Sequence, residues 1–338
     1  MHNGKRIKPV TAIRLTLALE DGGLDLPEHG RIAVFGPRAG TDFSVLPRDL
    51  CHVITGFRPD YDFFAGQGFT CNTAPEGRYA MSIVCIPRAR DAARAMIAWA
   101  IDVTDGPVVI DGQKTDGIES ALRECRKRVS PSAPISKAHG KLFWFTSAPE
   151  FSDWHAGPPK EIEDGLVTAP GVFSADGIDP ASRHLADHLP KKMGGHVIDL
   201  GAGWGYLSSR ILHHEKIAQI DLVEADHAAL ACAKQNVIDK RARFHWEDAT
   251  RWRPDAPVDM ILMNPPFHNE RKAEPAIGRA FIQAAAQMLK PSGQLWMVAN
   301  RHLPYESILA TCFGDATEVA GDKRFKLFHA RRPSRHSR

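Results

Sequence analysis

His196-Val197-Ile198-Asp199-Leu200 runs into Gly201-Ala202-Gly203-Trp204-Gly205, and this segment most restricts what the chain can fold into. An aliphatic run, glycines at alternate positions and a helical pattern over Tyr206 to His213 describe strand, tight loop and helix. Glycine tolerates a left-handed backbone and lets the main chain come close to a ligand. The spacing is G-x-G-x-G, not the dinucleotide fingerprint G-x-G-x-x-G. The next strand, Ile217 to Val223, ends at Glu224, roughly 20 residues on, where a carboxylate can hold both hydroxyls of a ribose. A third strand around Arg243-Phe244-His245-Trp246 ends at Glu247-Asp248, with Asp248 placed to accept from an adenine amino group. Helices are expected over Ala181 to His188, Ala228 to Asp239 and Gly278 to Leu289, the last stopped by Lys290-Pro291-Ser292-Gly293. Alternating strands and helices predict an α/β, doubly wound, mostly parallel sheet with ligands at the strand C-termini.

Asn264-Pro265-Pro266-Phe267 follows a buried strand, Asp259 to Met263. An exocyclic or amide nitrogen is a poor nucleophile because its lone pair is delocalised. The Asn264 side-chain oxygen and the Pro265 carbonyl can accept both of its N–H hydrogens and turn the lone pair towards an electrophile. Two prolines stiffen the loop and remove two competing donors. Phe267 offers a face on which a base can stack. His268, directly after this signature, is a candidate substrate or phosphate contact.

The ordered set of glycine loop, Glu224, Asp248 and Asn-Pro-Pro-Phe resembles the class I S-adenosylmethionine-dependent methyltransferases. Pro170 to Asp179, Asn264 to His268, Val298 to Tyr305 and Arg324 to Phe328 narrow the resemblance. They are similar to the bacterial small-subunit ribosomal RNA (guanine-N2)-methyltransferase C family and its large-subunit relatives. The resemblance implies two Rossmann-like class I methyltransferase domains, the N-terminal one degenerate. It implies S-adenosylmethionine as cofactor, without a metal, held by Asp199, Gly201, Gly203, Gly205, Glu224, Asp248 and Asn264. Asn264, Pro265 and Phe267 would carry the chemistry, and Phe267, His268 and Phe173 would meet the substrate. The implied reaction is methylation of the exocyclic N2 amine of a guanine in ribosomal RNA, 16S above all, in ribosome biogenesis. The implied partner is ribosomal RNA or the small subunit, and the implied protein a cytoplasmic monomer without membrane attachment. Methylation of a protein glutamine or a DNA adenine fits the same Asn-Pro-Pro-aromatic geometry and stays open. So does a non-enzymatic RNA-binding assembly factor, although intact Asn264, Glu224 and Asp248 argue against it. Trp204 departs from the pattern, as a bulky residue where the methionine end of the cofactor would sit.

The first half reads as an old copy of the second. Glu119 to Cys125 mirrors Glu306 to Cys312, Pro107 to Ile110 mirrors Gln294 to Val298, and Lys141-Leu142-Phe143 mirrors Lys326-Leu327-Phe328. Arg31 to Gly40 lies over His196 to Gly205, with Val34 for Asp199 and Arg38 for Gly203. Met81 to Pro87 lies over Asp259 to Pro265 but carries no Asn-Pro-Pro. Three segments matched in the same order favour duplication over chance. The expected organisation is a degenerate domain over 1–150 that supports RNA binding, a linker over 151–168, and a catalytic domain over 169–338 with a basic tail after Ala330.

Composition excludes rather than identifies. A net charge of +3 is compatible with nucleic acid without demanding it. Six scattered cysteines, with no C-x-x-C, read as reduced thiols and not a disulfide framework or zinc site. Lys5, Arg6 and Lys8 precede Ala12 to Leu19, but Arg14 interrupts that run, which reads as an amphipathic helix and not a leader. No stretch approaches the ~18 apolar residues of a membrane span. His184 and His188 read as a helix face and His213-His214 as a helix terminus. Asp176 and Gly177 read either as a turn over the cofactor or, with Ser174 and Asp179, as a cap before the Pro180 helix. Lys323, Arg324, Lys326, Arg331, Arg332, Arg335 and Arg338 near the end, and Arg123, Arg126, Lys127 and Arg128 in the first half, are candidate phosphate contacts.

Overall fold

The computed structural model describes residues 10–146, 151–266, 268–269, 272–273 and 275–334. It divides into two compact units, Met1–Gly157 and Pro158–Arg338. The first unit runs α1 (Val10–Glu20), β1 (Ile32–Phe35), β2 (Cys51–Ile54), α2 (Arg58–Gly66), β3 (Thr70–Asn72), β4 (Met81–Cys85), α3 (Arg90–Asp102), β5 (Pro107–Gln113), α4 (Ile118–Cys125), β6 (Ile135–Lys137) and β7 (Gly140–Thr146). Its sheet has the order β3-β2-β1-β4-β5-β7-β6. Pairing is parallel except around β7, which is antiparallel to both β5 and β6.

In the second unit a short hairpin of β8 (Lys160–Glu161) and β9 (Val167–Thr168) comes first. Then follow α5 (Pro180–His188), β10 (Gly195–Leu200), α6 (Tyr206–Ile211), β11 (Ile217–Glu224), α7 (His227–Asn236), β12 (Ala242–Trp246) and β13 (Val258–Met263). The small hairpin β14 (His268–Asn269) and β15 (Lys272–Ala273) leads to α8 (Pro275–Met288), β16 (Leu289–Asn300), α9 (Glu306–Cys312), β17 (Phe313–Gly321) and β18 (Phe325–Pro333). The sheet order is β12-β11-β10-β13-β16-β18-β17, strand for strand that of the first unit. Central strands read as continuous aliphatic runs because helices cover both faces. Val197, Ile220 and Leu222 pack into one layer, and Ile198, Leu200, Ile261 and Met263 into the other.

Register makes the duplication physical. The Gly36 amide donates to the Ile54 carbonyl at 2.9 Å, as the Gly201 amide donates to that of Val223 at 2.9 Å. Phe143 lies opposite Ile110, and Phe328 opposite Met297. Lys141 pairs with Glu119 at 3.0 Å, and its counterpart Lys326 pairs with Glu306. One alignment from sequence shifts by a residue. Ile32 pairs with Met81 and Val197 with Met260, so Met81 answers to Met260 rather than Asp259, and Cys85 stands where the second unit has Asn264.

Other boundaries differ for local reasons. Lys290 to Gly293 does not end the sheet approach as a free turn. Val258 pairs with Leu289 and Met260 already with Gln294, so these four residues bulge out of β16, where Lys290 reaches Asp259 at 2.8 Å. The basic tail does not begin after Ala330. Arg331 to Pro333 belong to β18, opposite Asp315 and Phe313, and Arg331 is paired with Asp315. Lys326 is 4 % exposed and held by Glu306, so it is no phosphate contact. Arg335 and Arg338 lie outside the described residues. Within the stretch read as linker, Phe151 and Trp154 are buried in the first unit's core and Leu166 in the second's. Arg14 does not face water. It is 0 % exposed and grips Asp111 through two bonds of 2.6 and 2.8 Å, because a charge buried on a helix face needs a partner.

Candidate active site

The C-terminal ends of β10 and β13 open onto a small cavity of about 40 Å³. Gly201, Gly203, Asn264, Asp179, Ser182 and Phe173 line it, with Ala202, Trp204, Tyr206 and Leu207. Gly203 has φ +56° and nothing within 4 Å of where a Cβ would stand, so the loop offers bare main chain to a ligand. Gly205 is a glycine for another reason. Its φ is +87°, and a Cβ there would meet Val237 at 3.0 Å and Ala233 at 3.2 Å, so it seats the loop on α7 instead of facing the cavity.

The acids divide by position. Asp199 is buried beneath the loop, where one oxygen accepts from the Ser208 amide (3.1 Å) and hydroxyl (2.7 Å), anchoring α6. Its other oxygen, Oδ1, is buried without a partner. Burial pushes its carboxyl up to about 6, against the pull of the Ser208 bonds. Glu224, at the end of β11, accepts from the Gly203 amide at 2.7 Å and the Asp226 amide at 2.8 Å. Burial nevertheless pushes its carboxyl up to about 7. Asp248, at the end of β12, accepts through Oδ1 from the Thr250 amide and hydroxyl at 2.9 and 2.6 Å. Neither Glu224 nor Asp248 lines the cavity. Glu224 is tied to it through Gly203, and Asp248 stands two strands from β10, across β11.

Asn264 is the most constrained polar side chain of the site. Its Nδ2 donates to Asp179 Oδ2 and to Ser182 Oγ, both at 2.8 Å. Its Oδ1 is buried and has no partner. Pro265 is buried behind it. Phe267 lies outside the described residues, and of His268 only the backbone, paired with Ala273 in β14, is described. Phe173 is 60 % exposed at the mouth of the cavity, a ring free on one side.

Trp204 does not obstruct the loop. It is 3 % exposed and donates its indole N–H to the Phe173 carbonyl at 3.0 Å. Asn236 binds the Trp204 and Val167 carbonyls at 2.7 and 2.8 Å and accepts from the Val167 amide at 2.7 Å. The segment carrying Phe173 is thus pinned to the glycine loop and α7. Asp176 pairs with Lys160 at the surface, at 2.8 Å, and is absent from the cavity lining. His184 and His188 stack edge to face at 4.6 Å. Among the described residues, no group of three or more His, Cys, Asp or Glu can hold a metal ion, and no helix is long and apolar enough to cross a membrane. All six cysteines are free thiols. Sequence reading missed Ser182, Ser208 and Asn236. Only Ser208 carried a usable signal, a hydroxyl on the first turn after a glycine loop.

Residues 163–329 match the methyltransferase small domain family. A ribosomal RNA small subunit methyltransferase C from Shewanella sp. (strain MR-4) is 27% identical over 266 residues, 75% of this chain and 77% of its own length. A ribosomal RNA large subunit methyltransferase G from Streptomyces avermitilis is 35% identical over 164 residues, 47% of this chain and 43% of that one. Among solved structures, a T. thermophilus 16S rRNA N2 methyltransferase in complex with AdoMet and guanosine superposes with a TM-score of 0.75. It covers 91% of this chain and 90% of its own, at 22% identity, and so shares the fold.

Proposed function

We propose that this chain is a member of the ribosomal RNA small-subunit methyltransferase C family of class I S-adenosylmethionine-dependent methyltransferases and methylates the exocyclic N2 amine of a guanine in ribosomal RNA, with 16S rRNA the expected substrate. One observation carries the reading. Asn264, whose buried side-chain oxygen Oδ1 has no partner, lines the same cavity as the bare glycine loop. A buried acceptor left open costs stability unless a ligand donor meets it, and an amine N–H is such a donor.

The residues present fit the cofactor. Gly203 leaves its side of the loop open, Asp199 keeps one orphaned oxygen under the loop, and Glu224 stands at the end of the neighbouring strand. We assign the methionine part to Gly201–Gly205, the ribose to Glu224 and the adenine to Asp248. When bound, S-adenosylmethionine supplies a methyl group on a positively charged sulfur. Asn264 Oδ1 and the Pro265 carbonyl accept the two N–H hydrogens of the amine and leave its lone pair facing that methyl. Phe267 and Phe173 stack the extruded base, and His268 contacts the substrate. The methyl leaves the sulfur as a neutral thioether, and the nitrogen, positively charged once methylated, releases its extra proton to water, so alignment and preorganised acceptors would do the catalysis without a strong base. The first unit and the residues beyond Ser334 grip the RNA. On this reading the protein works as a cytoplasmic monomer.

The names of both relatives favour RNA over a protein amide or a DNA adenine. The test supplies unmodified 16S rRNA or small ribosomal subunits, with methyl-tritiated cofactor, to the purified protein and digests the RNA to nucleosides. Label in N2-methylguanosine is expected. Label in adenine, or none in RNA, overturns the proposal.

A further inference from the structure

We infer that Asp179 is a positioning residue that fixes the polarity of the Asn264 amide, with Ser182 in support; this rests on the acceptor role proposed for Asn264. An amide is nearly symmetric in shape and opposite in polarity at its two ends, so something must decide which end faces the cavity. Turned over, Asn264 would set its oxygen against a carboxylate oxygen, acceptor facing acceptor at 2.8 Å. Ser182 cannot make that choice, because its hydroxyl accepts or donates equally well. The carboxylate of Asp179 only accepts. It therefore engages Nδ2 and leaves Oδ1 as the end without a partner, the end available to the substrate, which selects a donor such as an amine over a carbonyl.

The same Asp179 oxygen accepts from the Ser182 amide at 2.8 Å and caps α5. Capping and polarity must therefore be separated by the choice of variant. Asn is as good a cap as Asp and keeps one oxygen for both bonds, so Asp179→Asn preserves both functions and removes only the charge. Asp179→Ala removes both. Ser182→Ala keeps the cap and removes the weaker restraint.

In steady-state methylation of guanine, D179A/S182A should lose roughly 10–100-fold in kcat, the scale of one misplaced polar group, with cofactor affinity within about threefold. D179N should stay within about fivefold of wild type, and S182A should lose less than tenfold. N264D sets carboxylate against carboxylate and should lose at least ~100-fold, whereas D179N/N264D, in which the new amide nitrogen at position 179 can donate, should regain about tenfold. A second readout does not depend on turnover. The Asn264 side-chain amide, ¹⁵N-labelled, should be shifted and slow to exchange in wild type and free-amide-like in D179A/S182A. If D179N is as inactive as D179A, or if D179N/N264D is no better than N264D, the charge and not the polarity is what matters, and the inference fails. If wild type methylates no guanine while the amide signal still responds, the fault lies with the proposed function and not with the orientation of Asn264.

Discussion

The two sheets have the same strand order, yet only one keeps the chemistry. By register, Val34 of the first unit stands for Asp199, Thr55 for Glu224 and Cys85 for Asn264. The flanking glycines survive. Gly36 and Gly40 have φ of +59° and +89°, against +80° and +87° for Gly201 and Gly205. Between them Gly203 is left-handed while Arg38 is not, and Arg38 pairs with Asp116 at 3.5 Å. What the halves share is what the fold needs: aliphatic strands, the end glycines, the Lys–Glu pair between the last helix and the last strand. What they do not share are the acids Asp199 and Glu224, the bare Gly203 and Asn264. The first unit instead holds a buried Arg14–Asp111 pair, with Asp111 at the position of Val298. A stable doubly wound sheet therefore does not require the acids or the asparagine, and their presence in the second unit is better explained by ligand than by packing.

The sharpest way to break this contrast is to mutate equivalent positions in parallel. Asn264→Ala should cut turnover by roughly 10²–10³ with little effect on cofactor binding, while Cys85→Ala should leave kinetics unchanged. Near-normal turnover in the first variant would remove Asn264 from the chemistry.

Glu224→Ala, which removes charge-assisted bonds worth about 1.5–3 kcal/mol, should weaken S-adenosylmethionine on the order of 10–100-fold by calorimetric titration; Thr55→Ala should not. Acidity sharpens the same point. Glu224 is raised to about 7 in the free protein, and in the proposed ribose contact only its ionised form would accept from both hydroxyls. Binding should therefore weaken as pH falls below about 7, approaching tenfold per unit, and Glu224→Gln should flatten that slope. Stability moves the other way. Because the folded carboxyl lies above its ordinary 4.5, its contribution is fully present below that value and is lost as pH rises through 7. The free protein should then melt at a lower temperature at pH 8 than at pH 5.5 on this account, and less so in the Gln variant.

The first unit's proposed grip on RNA predicts a smaller effect. Arg123 and Arg126 rim a recess with Lys141, and replacing both by Ala should lower the salt dependence of RNA binding by about two phosphate contacts. An unchanged slope would return this face to plain solvated surface. The least effect is expected at the shared Lys–Glu pair. Glu306→Gln leaves a buried ammonium poorly matched and should cost about 1–2 kcal/mol, whereas Glu119→Gln, in an exposed pair, should cost less than ~1 kcal/mol in urea titration.

Strands, glycine loop and the duplication were legible because they depend on local periodicity and on order along the chain. The Asn264 signature was legible for the same reason. Its orientation was not, since Asp179 read only as a helix cap and its second partner is brought in by tertiary packing. Trp204 read as a bulky departure beside the methionine end of the cofactor because a loop residue's side-chain direction is set by what it can bond, here the Phe173 carbonyl. Arg14 read only as an interruption of an apolar run because its partner, Asp111, is 97 residues away. The one-residue slip at Met81 arose because overlaying strands by composition does not sense register. Lys326 read as an RNA contact because charge clusters in sequence do not reveal which member a sheet buries.

Asn264 and Asp179 are separated by 85 positions, and that distance has a consequence for folding. Joining them closes a loop that contains β10, β11, β12 and β13, so the entropic cost is met only when those strands are laid side by side. Until then the asparagine is an ordinary amide, free to turn either end towards its surroundings. An intermediate with α5 undocked can carry every residue of the site and still present no fixed acceptor. Competence for the reaction is thus a late event in the assembly of the second unit, and the polarity of a single side chain marks its completion.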